Sequence, residues 1–270
     1  MTGRVAGKVA IVVGGGQTPG ETMGNGRATA LLLAAEGARV VVADRSFDSA
    51  AETVAMIEAK GGQGFAVDAD ATSEDAVTRL MAQALERYAS IDILHNNVGA
   101  SIALGDARAD EMTVEAFDRS FAVNFKSAWL CAKHALPALR QRGGSIVNIS
   151  SLAAWEAYPL VGYKTMKAAV LALTLNLAAA NARYRVRVNA ILPGLMNTPM
   201  AIEARVGQGV LSRAEVVAAR NRRVPLGQQM GTAWDVAYAA LFLHSDEAKF
   251  ISGALLPVDG AASASFGAYE

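Results

Sequence analysis

Cysteine is almost missing from this chain. Cys131 stands alone, so no intramolecular disulfide can form, which fits a reducing compartment. An excess of either charge is missing too: 25 Lys and Arg balance 25 Asp and Glu. A net charge of zero offers no electrostatic footing to nucleic acid or to an acidic membrane surface. Histidine is scarce. His95, His134 and His244 are scattered, form no cluster with Cys or Asp, and read as structural, so no metal is expected. Long apolar runs are also lacking. Val9–Val13 is too short for the core of a signal peptide, and the alanine-rich stretch 168–180 is shorter than a bilayer span. The expectation is a soluble, cytoplasmic protein.

What is present is apolar material for a sizeable core, 52% of 270 residues, and that excludes disorder. Short β-branched runs predict strands at 9–13, 38–43, 64–67, 91–95, 145–149, 186–191 and 254–258. Longer periodic stretches between them predict helices at 26–36, 49–60, 74–88 (capped by Ser73), 163–182 and 233–243, with one or two more inside 113–140. Near-continuous apolar strands alternating with helices describe an α/β domain, a doubly wound parallel sheet of about seven strands with helices on both faces. No linker divides residues 1–270. The least regular stretch, Gly194–Arg213, reads as a long loop and a candidate substrate lid.

The first strand runs into Gly14-Gly15-Gly16 and then Gly24-Asn25-Gly26-Arg27-Ala28, which opens a helix. Glycines permit the tight turn and let backbone approach a pyrophosphate, while the helix N-terminus offers amide donors and positive potential. A glycine-rich connector without a ligand would look the same. The second strand ends at Asp44. A carboxylate there can accept hydrogen bonds from ribose hydroxyls and would repel a 2′-phosphate, which favours NAD over NADP. Arg45 is the counter-argument, since it could hold that phosphate.

With these elements in order, the chain resembles the short-chain dehydrogenase/reductase family over nearly its whole length. The family's glycine motif is TGxxxGxG; here Val13 replaces the threonine, and Gln17-Thr18-Pro19-Gly20-Glu21-Thr22 lengthens the loop. The resemblance implies a Rossmann-type fold that holds the cofactor through Gly14, Gln17, Gly24, Asn25 and Gly26. It also implies an adenine-side acid at Asp70, with the backbone of Ala71 close by and Asp68 as a competing register. His95-Asn96-Asn97-Val98-Gly99 is similar to the family's NNAG, and places Asn96, Asn97 and Gly99 along the adenosine side and against the sheet.

Tyr163-Lys164-Thr165-Met166-Lys167 matches the family's YxxxK. Residues four apart share one helix face, and an ammonium beside the phenol would lower its pKa from about 10, readying it for proton exchange. That spacing alone occurs by chance in many helices. The family context implies that Tyr163 is the acid/base and that Lys167 also bonds the nicotinamide ribose. In Asn148-Ile149-Ser150-Ser151 the family pattern points to Ser151 as the group that bonds the substrate oxygen; the gap to Tyr163 is one residue short, so Ser150 is the alternative. Asn124, in Phe121-Ala122-Val123-Asn124-Phe125-Lys126, matches the asparagine that holds a relay water. Pro193-Gly194 follows the sixth strand, and Thr198 is implied to reach the nicotinamide carboxamide or pyrophosphate, with backbone of Ile191 or Leu195 nearby.

The resemblance thus implies hydride transfer between NAD(H) and a secondary alcohol or ketone. An enoyl-thioester reductase is the rival on the same fold. It shares a lengthened glycine loop, but Val170 occupies the place where its lysine would fall. A non-catalytic dinucleotide-binding protein is the second rival. Trp155, Tyr158, Met196, Met200 and Ile202 lend the pocket an apolar character that suits a hydrophobic or cyclic substrate. Relatives pair through helices 115–140 and 160–182, which implies a homo-oligomer, a tetramer foremost, with the tail 261–270 reaching towards a neighbour.

Overall fold

The computed structural model describes residues 3–265. Seven strands among them form one sheet: β1 (Val9–Val13), β2 (Arg39–Asp44), β3 (Gln63–Asp68), β4 (Ile93–Asn96), β5 (Gly144–Ile149), β6 (Val186–Pro193) and β7 (Leu255–Val258). The order is β3-β2-β1-β4-β5-β6-β7, and every neighbouring pair is parallel. β1 is buried along its whole length because a central parallel strand is covered on both faces, which explains its unbroken Val-Ala-Ile-Val-Val. Alternate residues divide between the two faces. Ile11, Val13 and Val41 pack with Leu80, Ala84, Leu130 and Ala135, while Ala10, Val12, Val40 and Val42 pack with Ala30, Leu33, Val54 and Ile57.

The first face is covered by α3 (Glu74–Tyr88), α5 (Ser127–Arg142) and α6 (Val161–Asn181), and the second by α1 (Asn25–Ala35), α2 (Phe47–Glu58) and α9 (Ala233–His244). Ser73 caps α3 as expected, its hydroxyl accepting from the Ala76 amide. After β3 the chain crosses back to the far side of β1. Strand order therefore reverses between β1 and β4, and a crevice opens beyond their carboxyl ends. The glycine loop and residues 97–99 both lie there.

Two expectations need correction, and one, open between one helix and two, is narrowed. Residues 194–213 are not one long loop. They contain α7 (Pro199–Val206), which Pro199 starts with its fixed φ, and they end where Ser212 and Glu215 form a capping box for α8 (Arg213–Asn221). An eight-residue helix carries little intrinsic stability. This one is held by Ile202 packing with Val216, Val224 and Met230, contacts that no local pattern foretells. Second, 113–140 becomes α4 (Val114–Phe121) and α5, joined through a π-helical turn at Ala122–Lys126. Third, Val161–Tyr184, with a mean hydropathy of 1.2, is long and apolar enough to cross a membrane by length and composition. In this fold α6 lies against β6 with Met166, Val170, Leu171 and Ala178 buried, as a core helix does. The implied reach of the tail extends to residues 266–270, which lie outside the described residues.

Candidate active site

The crevice begins where β1 ends. Gly14 adopts a positive φ of 76°, and the amides of Gly14 and Gly15 both donate to the Ala43 carbonyl, turning the chain across β2. Gly26 has no room for a side chain, because a Cβ there would sit 1.9 Å from the Gly14 carbonyl oxygen. α1 starts at Gly24 with no side-chain cap and no acidic residue in its first turn, so its amides and positive end are left to a ligand. The inserted segment is closed by Gln17, whose Oε1 accepts from the Gly24 amide at 3.0 Å and whose Nε2 reaches the Thr22 carbonyl. Gln17 thus braces the loop with both ends of its amide. Thr22 Oγ1, Asn25 Oδ1 and Asn197 Oδ1 are buried here without a protein partner. Such groups are costly unless a ligand or water satisfies them.

Asp44 stands at the tip of β2, half-buried. Its Oδ2 accepts from the Gly16 amide at 3.1 Å and its Oδ1 from the Ser46 amide, so it orients the loop as well as facing the crevice. Arg45 is exposed. Asp70, also exposed, bonds the Thr72 amide and hydroxyl ahead of α3, and Ala71 is buried. Asn97 Nδ2 donates to the Gly14 carbonyl at 3.0 Å, tying β4 to the glycine turn. Asn96 turns instead into the core and donates to Asn148 Oδ1 at 2.9 Å. It braces the sheet, and the expected lining of the adenosine side falls to Asn97. Pro193 and Gly194 close β6. Thr198, 5% exposed, stands at the N-cap of α7 with no capping bond.

Tyr163 and Lys167 occupy the first two turns of α6. Lys167, 2% exposed, extends its Nζ to the carbonyls of Val98 at 3.1 Å and Ile149 at 2.9 Å, and lies 5.7 Å from the Tyr163 ring centre. Gly99 permits this, since a Cβ there would stand 2.8 Å from that nitrogen. Asn124, buried in the π-turn, accepts from the Ala100 amide at 2.9 Å and donates to the Ala100 carbonyl at 2.8 Å, which ties the turn to the loop after β4. Such π-turns recur at functional sites. A cavity of about 10 Å³ lies between Lys167, Asn124, Asn96 and Asn148, about the space of one water. The two serines separate cleanly. Ser150 is buried and spends its hydroxyl on the Lys167 carbonyl at 2.7 Å, whereas Ser151 stands beside the Tyr163 phenol.

One electrostatic expectation is reversed. Burial pushes the Tyr163 phenol up to about 12, against a downward pull from the Ser151 hydroxyl and from Arg205; Tyr158 and Asp106 add to the rise. Burial also brings the Lys167 ammonium down to about 7. Both groups leave water, and burial is the largest cause of each shift; the ammonium spends its hydrogen bonds on two carbonyls.

A family model described as enoyl-(acyl carrier protein) reductase matches residues 20–263. The 2,5-dichloro-2,5-cyclohexadiene-1,4-diol dehydrogenase of Sphingobium indicum is 37% identical over 264 residues, 96% of this chain and 98% of that protein. The 3beta-hydroxysteroid dehydrogenase 1 of Eggerthella lenta is 36% identical over 245 residues, 89% of this chain and 90% of that one. A crystal structure from Burkholderia xenovorans, titled as a short-chain dehydrogenase/reductase, superposes with a TM-score of 0.89 at 36% identity, covering 98% of this chain and all of the other.

The chain is a short-chain dehydrogenase/reductase. It therefore belongs to a family of oxidoreductases that use nicotinamide cofactors, and its relatives act on CH–OH groups. Within this dehydrogenase/reductase the structure adds site residues that the sequence did not point to. Asp106, in the loop after β4, bonds the amides of Gly162 at 2.8 Å and Tyr163 at 3.2 Å, and accepts from Ser101 Oγ at 2.7 Å. It caps the N-terminus of α6 from 57 residues away. Tyr158, already a candidate for the pocket wall, is tilted against Tyr163 with ring centres 6.3 Å apart, and Lys164 holds the Ala153 carbonyl at 3.1 Å and that of Glu156. Arg205 on α7 reaches the same space. Apart from Tyr158, none of these left a local signal, because each acts across the fold.

Proposed function

We propose that this protein is an NAD-dependent oxidoreductase that interconverts a secondary alcohol and its ketone, with Tyr163 as general acid/base. The observation that carries the reading is the convergence of Ser151, Tyr163 and Lys167 at the mouth of a glycine-built dinucleotide crevice. The open N-terminus of α1, the glycine positions that admit no Cβ and the unpartnered Thr22, Asn25 and Asn197 suit a dinucleotide. Gly14, Gly24, Asn25 and Gly26 would hold its pyrophosphate, with Gln17 keeping the loop in shape. Asp44 would take the adenosine ribose and favour NAD, Asp70, Ala71, Asn97 and Gly99 would flank the adenosine side, and Pro193, Gly194 and Thr198 would take the nicotinamide end. Bound there, the nicotinamide ring supplies the hydride chemistry and, when oxidised, a positive charge that the buried tyrosine lacks.

The chain's own groups do the rest. Ser151 orients the substrate oxygen towards Tyr163. Tyr163 takes the carbinol proton during oxidation and returns it during reduction. Lys167 holds the loop of Val98 against the end of β5, and the water-sized cavity beside it and Asn124 is a route for proton exchange. Trp155 and Met200, 48% and 42% exposed, line an apolar mouth that suits a cyclic or hydrophobic substrate, in keeping with relatives named for a cyclic diol and a steroid. Trp129 and Leu175, 42% and 48% exposed on α5 and α6, support assembly into a homotetramer. The charge balance supports a cytoplasmic protein without nucleic-acid or membrane partners, and no metal is part of the scheme.

One observation favours an enoyl-thioester reductase, the description of the matching family model together with the lengthened glycine loop. Against it, Val170 is 1% exposed in the core, and the lysine that lies over the Tyr163 ring, Lys167, is four residues on. Assays of cyclic, aromatic, steroid and sugar alcohols with NAD and NADP test the proposal. Oxidation of a secondary alcohol, faster with NAD, is expected. Enoyl reduction without any ketone reduction would overturn it, and faster turnover with NADP would overturn the role of Asp44.

A further inference from the structure

Most cations buried in this molecule have partners. Arg27, 4% exposed, bonds Thr53, Ser49 and Glu52. Arg220 on α8 is different. It is 8% exposed, its Nε donates to Met230 Sδ at 3.4 Å, and among the described residues no carboxylate lies within ion-pair distance. Sulfur is a weak acceptor, so one of five donors is poorly used and four are unused. The two Nη nitrogens make no hydrogen bond and are not among the side-chain atoms sealed from solvent, so they open outward from a buried stem. A guanidinium taken out of water without a counter-charge is costly, and such sites persist where a ligand supplies the missing anion.

Its surroundings make the deficit larger. Arg205, half-buried on α7, bonds only the Ala201 carbonyl of its own helix and has no carboxylate either. Arg223 is exposed on the turn after α8. Burial, Arg205 and Arg223 together draw Arg220 down to about 10. The site also lies against the segment that follows β6: Arg220 bonds Met230, whose neighbour Gly231 pairs with Met196 and accepts from the Asn197 amide at 2.8 Å, and Arg205 lowers the Tyr163 phenol, whose ring is 6.3 Å from that of Tyr158. Arg220 and Arg205 thus belong to the α7–α8 unit, which packs through Ile202, Val216 and Met230 with Leu195 at the end of the crevice that follows β6.

We propose that Arg220, assisted by Arg205, is an anion-binding subsite of the substrate pocket, so that the alcohol or ketone turned over carries a carboxylate or an equivalent oxyanion on the side away from its carbinol. This rests on the alcohol/ketone reading above. Arginine suits the task because its planar fork meets an oxyanion with two parallel bonds. The apolar mouth would hold the carbon body between the two ends.

The test pairs 3-hydroxybutanoate and 5-hydroxyhexanoate with their methyl esters, under saturating NAD, in the wild type, Arg220→Met and Arg220→Lys. The acid is expected to exceed its ester in kcat/KM by at least ~10-fold for one of the two lengths, about one charge-assisted pair. Arg220→Met should collapse that ratio through the KM of the acid, Arg220→Lys should keep part of it, and the melting temperature of Arg220→Met should not fall, since an unpaired buried charge has been removed. Esters turned over as well as acids, an unchanged ratio in Arg220→Met, or a rise in the KM of NAD instead would overturn the subsite. If no compound is oxidised with NAD or NADP, it is the alcohol/ketone reading that fails. The subsite then stands or falls on whether millimolar hexanoate raises the melting temperature of the wild type and not that of Arg220→Met.

Discussion

The two faces of the sheet each bury a pair of titratable side chains, and the pairs behave differently. Under α9, His95 Nδ1 and His244 Nε2 are 3.4 Å apart, and His244 Nδ1 lies 2.8 Å from Ser145 Oγ. Both rings are fully enclosed and held neutral. Burial brings His95 down to about 3, and burial with His95, Arg187 and Lys8 nearby takes His244 well below its usual value. On the other face burial likewise displaces Tyr163 and Lys167. What distinguishes them is access. Tyr163 sits in the first turn of a helix at the crevice and is only half-buried, with Ser151 beside it. A perturbed ionisation marks burial on either face, and it marks chemistry only where the group can meet a substrate.

That contrast can be broken from either side. Tyr163→Phe is expected to lower kcat about 10³-fold, within the range of general acid–base catalysis, with an unfolding midpoint close to wild type. His95→Gln is expected to change kcat less than ~2-fold, since a structural histidine takes no part in the reaction. Equal losses in the two variants would erase the distinction. The pH dependence should separate the pairs as well. Alcohol oxidation should keep rising from pH 7 towards 10, because a tyrosine held near 12 is ionised only in small part below that; a plateau near 7 would assign the base elsewhere.

Stability should follow the other face. A histidine at about 3 in the folded chain and about 6.5 when unfolded leaves full stability above pH 6.5 and loses about 1.4 kcal/mol per pH unit below it. Denaturant midpoints at pH 7.5, 6.0 and 5.0 should show that slope, and His95→Gln should reduce it. The smallest expected effect tests the crevice itself. Asp106→Asn removes a charged cap from α6 and should cost about 1 kcal/mol of stability, typical of a cap. It should also move the rising limb of alcohol oxidation towards lower pH, because the Asp106 carboxylate opposes the phenolate. A cap without influence on catalysis would leave the limb in place.

Much of this architecture was legible in advance, for local reasons. Central strands buried on both faces must be apolar throughout, so runs such as β1 and β2 announced themselves, and glycines had to stand where β1 turns into α1. Tyr163 and Lys167 were legible as a pair because helical spacing puts them on one face. What escaped were relations across the fold. Ser150 and Ser151 look alike in sequence, and only the tertiary bonds separate them: Ser150 donates its hydroxyl to the Lys167 carbonyl, while Ser151 accepts from the Ala153 amide and keeps its own proton to donate. α7 was hidden because packing and not propensity holds it. The direction of the Tyr163 shift was misjudged because spacing reports that a lysine is near, while burial and the aim of its Nζ at Val98 and Ile149 decide what it does there.

The amino-acid order by itself determined the alternation of strand and helix and the place of the glycine turn, since each depends on residues within a few positions of one another, and it offered Tyr163 and Lys167 as a candidate pair. Tertiary structure alone decided which serine faces the phenol, which carboxylate caps its helix and which arginine is left without a partner. Desolvation and charge pairing are set by neighbours tens of residues away, and no local pattern carries them.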